Sequence, residues 1–89
     1  MLHVNVPTDR RATVRLVIRG IVVNEARQLR LGGYLAIVLG DPAADAWPDV
    51  KLEPGDQEAI VWTTPRQVDQ VVANLKAVPG VVAARGLGD

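Results

Sequence analysis

Few residues in this 89-residue chain are equipped for chemistry, and they do not combine. There is one histidine, His3, and no cysteine. Nucleophilic catalysis needs an activated nucleophile beside a base, and no such pair stands out here. Without cysteine there is no thiol catalysis, disulfide or cysteine metal site. Six acids cluster within residues 41–58: Asp41, Asp45, Asp49, Glu53, Asp56 and Glu58. They lack the Asp/Asn/Gly order of a calcium loop, so they read as a solvated acidic segment. Gly32-Gly33 matches no phosphate-binding glycine pattern and reads as a turn. The sequence therefore assigns no catalytic residue, no metal ligand and no cofactor, and it points to a protein that is not an enzyme.

The arginines invite a nucleic-acid reading. Arg11, Arg15 and Arg19 stand four residues apart. RNA-binding sandwiches stack bases on aromatic residues of a sheet. Only Tyr34, Trp47 and Trp62 are aromatic, and the formal net charge is zero, so nucleic acid is a poor partner. The charge is nevertheless uneven. Residues 1–40 hold six arginines against Asp9 and Glu25, whereas residues 41–58 hold the six acids against Lys51 alone. Opposite patches of this kind suit a contact with another protein or with a second copy.

The residues above must be positioned by one small domain, residues 1–89. Hydrophobic residues make up 48% and charged residues 22%, as in ordinary globular proteins. With no Phe, the core must be built from Val, Leu, Ile and Ala. No apolar run approaches the roughly 18 residues of a membrane span. The start, MLHVNVPTDRR, has no signal-peptide pattern, which makes a cytoplasmic location the expectation.

The clearest elements lie near the C-terminus. Residues 59–63 are β-branched and aromatic and predict a strand. Thr64 and Pro65 then suit a helix N-cap and first turn, with Gln67 completing a capping box. Val68, Val71, Val72 and Leu75 follow at helical spacing, and Val78-Pro79-Gly80 stops the helix. Residues 81–84 predict a last strand. At the other end, residues 2–6 alternate as a short strand. Residues 10–22 fit both periods. The β-branched content favours a strand, but the preceding cap residues and Gly20 favour a helix over about 9–19, which is the expectation adopted. The stretch GIVVNEARQLRLGGYLAIVLGD then reads as a hairpin turning at Gly32-Gly33, or as a continuing helix that Gly32 ends. Residues 41–58, with three prolines, predict an acidic loop pinned to the body by Trp47, with an edge strand an option near residues 50–52.

This order predicts an α+β fold, a ferredoxin-like βαββαβ sandwich: an open, mostly antiparallel sheet with helices on one face and room for an extra strand. Within that fold, VNVPTDRRATVRLV, GIVVNEARQLRLGGYLAIVLGD and VVANLKAVPGVVAARGLG resemble the opening strand and loop, the central hairpin and the closing helix and strand of ACT domains. These are small regulatory modules of amino-acid metabolism. The resemblance implies a non-enzymatic module that dimerises and binds an amino acid or similar small metabolite. Its site would use Thr8, Asp9, Arg10 and Arg11, with Asn24 at the head of the second strand. Asp9 would hold an ammonium and the loop N–H groups a carboxylate. The alternative is a protein–protein interaction or assembly module with no small ligand. In either case a sheet covered on one side leaves an apolar face in water, at about 25 cal/mol per Å² of apolar area. Leu35, Ile37, Leu39, Ile60 and Trp62 are the candidates for burying that face in a homodimer.

Overall fold

The computed structural model describes residues 11–87. Five strands form one open sheet: β1 (Ala12–Ile18), β2 (Gln28–Leu31), β3 (Tyr34–Gly40), β4 (Gln57–Thr63) and β5 (Val81–Leu87). The strand order is β2-β3-β4-β1-β5. Every neighbouring pair is antiparallel. One α-helix, α1 (Val68–Lys76), joins β4 to β5. The α+β class expected from the sequence is therefore observed, with one α-helix among the described residues.

The helix expected over 9–19 is not formed in its described part, where Ala12–Ile18 is a strand. Val14, Leu16 and Ile18 of β1 point to one face and are buried, while Arg15 points to the other. β1 is central, paired with β4 on one side and β5 on the other. Both of its backbone edges are thus satisfied, which local cap signals around residue 9 cannot match. Its β-branched residues Thr13, Val14, Val17 and Ile18 suit the pleated surface better than a helix. The βαββαβ expectation loses its first helix with this result. The expected strand at residues 2–6 lies outside the described residues.

The Gly32-Gly33 hairpin is present. β2 and β3 pair from Gln28↔Ile37 to Leu31↔Tyr34. The turn glycines have φ of +58° and +89°, a region that side chains with a Cβ avoid. α1 also forms where its apolar stripe predicts, burying Val71 and Leu75. Its first turn differs in detail. Pro65–Gln67 is a 3₁₀ turn, and the Thr64 hydroxyl donates to Gln67 Oε1 at 3.3 Å instead of closing a capping box.

The core lies between α1 and the inner face of the sheet. It contains Val14, Leu16, Ile18, Leu31, Ala36, Val38, Ala59, Val61, Val71, Leu75 and Ala84. Among the described residues, no helix is long and apolar enough to cross a membrane.

Candidate interaction surface

The face of the sheet away from α1 is divided into two parts. Over β1 and β5 it is covered from within the chain. The acidic loop leaves β3, makes a 3₁₀ turn at Ala44–Ala46 and carries Trp47 onto this face. Trp47 is only 4% exposed. Its indole N–H donates to Glu58 Oε1 at 3.3 Å. The other oxygen, Glu58 Oε2, accepts from the Arg15 guanidinium in a close ion pair. Arg85 sits across the strand pair from Arg15, and its Cζ lies 4.7 Å from the centre of the Trp47 ring. Arg15 Cζ is 6.0 Å from the same ring. Both cations therefore face the π-cloud of one indole, an electrostatically favourable arrangement. Val17, which alternation also places on this outer face, is fully buried. No strand forms at residues 50–52.

A second clamp holds the far end of the loop. Arg19 donates to Asp56 through Nε at 2.7 Å and Nη2 at 2.8 Å. The same Nη2 reaches the Lys51 carbonyl at 3.1 Å. Asp56 Oδ2 also accepts the Glu53 backbone N–H at 2.8 Å. The Arg19 hydrogen bonds hold the Asp56 carboxyl below its ordinary range, although burial opposes this. The same pairing raises Arg19. Two of the acids that read as solvated charge are thus paired within the structure: Glu58 with Arg15, and Asp56 with Arg19.

Over β3 and β4 the same face is open among the described residues. Leu35, Leu39 and Trp62 are 44%, 55% and 52% exposed, and Ile37 and Ile60 between them are half-buried. The register places Ile37 beside Ile60 and Trp62 beside Thr13. All five residues proposed from the sequence as an interface therefore lie on one face of two adjacent strands. At the rim, Arg11 stacks its guanidinium over Trp62 at 5.2 Å from the ring centre. Arg30 pairs with Leu35 across the β2–β3 hairpin.

Of the proposed metabolite-binding residues, the structure describes Arg11 and Asn24. Thr8, Asp9 and Arg10 lie outside the described residues. Arg11 precedes β1, whereas Asn24 follows its opposite end, and β3 and β4 separate β2 from β1. Asn24 is engaged locally: its Nδ2 donates to the Gln28 carbonyl at 3.0 Å, and its Oδ1 accepts the Gln28 N–H at 3.3 Å. That reciprocal pair starts β2 and uses one donor and one acceptor site of the Asn24 side chain. Among the described residues, no three His, Cys, Asp or Glu side chains gather as a metal site.

Comparison of the chain with family models, with curated proteins and with solved structures gives no match in any of the three. The functional reading therefore rests on the geometry. The Trp47–Glu58–Arg15 cluster escaped the sequence reading because its members are far apart in the chain. Glu58 is 43 residues from Arg15, and only the β1–β4 pairing brings them together.

Proposed function

We propose that this chain is a non-enzymatic interaction module that self-associates through the open face of β3 and β4. The observation that carries the reading is the exposure of Leu35, Leu39 and Trp62 on one continuous face, with Ile37 and Ile60 between them. The centre of this patch has no charged side chain, and its margin carries Arg11 and Arg30. An apolar, aromatic centre with an arginine-bearing rim is the usual anatomy of a protein interface. A second copy is the occupant because the surface is self-complementary in chemistry: aliphatic against aliphatic, with a tryptophan to fill the gap across a twofold axis.

Multi-angle light scattering on the intact chain tests this. Dimer is expected at micromolar concentration, and Trp62→Glu is expected to shift it to monomer. Monomer throughout, up to high micromolar concentration, would remove the reading. A thermal-shift screen of amino acids bears on the metabolite-binding reading. Stabilisation by one of them, lost in Asn24→Ala, would favour a ligand-regulated module instead.

A further inference from the structure

Among the described residues, no strand lies on the outer side of β5. β5 is the last strand among the described residues and pairs there only with β1. Alternate N–H and C=O groups along its seven residues therefore face outward, with no strand among the described residues to receive them. Such an edge accepts an added strand through main-chain hydrogen bonds, with flanking pockets selecting its side chains. The β5 edge has those flanks. An open depression of about 290 Å³ runs beside Val82–Arg85, with Trp47 and Val50 of the loop and Lys76 of α1 among its walls.

Charge indicates what fits there. Neither Lys76 nor Arg85 forms an ion pair with another side chain among the described residues. Arg85 Cζ lies over the Trp47 ring, and its guanidinium N–H groups have no side-chain carboxylate partner among the described residues, so they can meet an added one. Asp49 also lines the depression and offsets part of this charge, so the balance remains basic. A second copy does not fit. Twofold pairing of β5 with β5 would bring Arg85 and Lys76 of both copies to one seam, and like charges across a strand pair are destabilising. β5 is also irregular near Val82, where its register against β1 shifts. This leaves residues 83–87 as the regular part of the edge.

We propose that the β5 edge receives an extended acidic segment of a partner protein, which adds as a sixth strand and sets its carboxylates against Lys76 and Arg85. The test is an NMR titration of the isotope-labelled full chain with two end-capped heptapeptides, one alternating valine and glutamate, the other valine and lysine. The acidic peptide is expected to shift the amides of residues 82–87 and the Trp47 indole N–H, and to slow exchange of β5 amides. It should bind at least about tenfold more tightly than the lysine peptide and weaken with salt. Arg85→Glu and Lys76→Glu, at exposed positions on different elements, should each reverse the preference. Several results would overturn the proposal. They are no β5 shift at millimolar acidic peptide, equal affinity for the two peptides, shifts confined to β3 and β4, or β5 shifts that follow protein concentration without peptide.

Discussion

Glu58 serves two partners at once, so its removal strands both. With the carboxylate gone, the partly buried Arg15 guanidinium and the Trp47 indole N–H lose their shared acceptor. Glu58→Ala is expected to lower stability by about 2–4 kcal/mol in urea unfolding, with Trp47 emission shifting toward that of an exposed indole. Glu58→Gln keeps an acceptor for Trp47 and should cost less. Asp56 gives a pH signature. Its pKa is lowered in the folded state from an ordinary value of 3.8, mainly by the Arg19 hydrogen bonds. The folded state therefore binds that proton less readily than the unfolded chain. Its contribution is complete above the unfolded value and is lost as pH falls through the lower folded value. Urea midpoints measured between pH 6 and pH 2 should drop most steeply below 3.8, and Asp56→Asn should flatten that limb while lowering stability at neutral pH. Neither pair was legible from residue types alone. Both acids sit in a stretch that reads as solvent-facing, and their partners are about 40 residues upstream.

At the scale of elements, the chain announces its local structure and conceals its pairing. The β2–β3 turn, α1 and the β4 strand follow from glycine placement, a 3.6-residue stripe and a β-branched run. β1 does not, because residues 10–22 satisfy two periods equally well. What decides between them is the presence of β4 and β5 on either side, and no window of sequence contains that information. The helix seats on the sheet at a second informative position. A Cβ built on Gly86 would overlap Val68 Cγ1, so glycine there sets how closely the start of α1 approaches β5. Gly86→Ala is expected to destabilise by about 1–3 kcal/mol through overpacking. Val68→Ala in the same chain should recover part of the loss, since it removes the atom in conflict. Chemical denaturation of the two single variants and the double variant measures that coupling.

Among the described residues, the sheet has three different surroundings: helix on the inner face, loop over half of the outer face, and solvent over the rest. That Leu35, Ile37, Leu39, Ile60 and Trp62 share one face was legible because strict alternation in β3 and β4 sorts them onto one side. The cover over the other half was only half legible: Trp47 marks the loop as pinned, but nothing nearby in sequence says where. Self-association through the open half should blue-shift and enhance Trp62 fluorescence on concentration, while Trp47 stays unchanged. Comparing the intact chain with Trp47→Phe, which leaves Trp62 as the single indole, checks this. The acidic loop also has a consequence for how the chain could be taken apart. Anchored by Glu58–Trp47 at one point and Arg19–Asp56 at another, it behaves as a tethered ligand whose docking is favoured by high effective concentration. A chain with residues 42–54 replaced by a short glycine-serine bridge would present an empty berth on β1 and β5, and a free peptide of that sequence would compete to refill it.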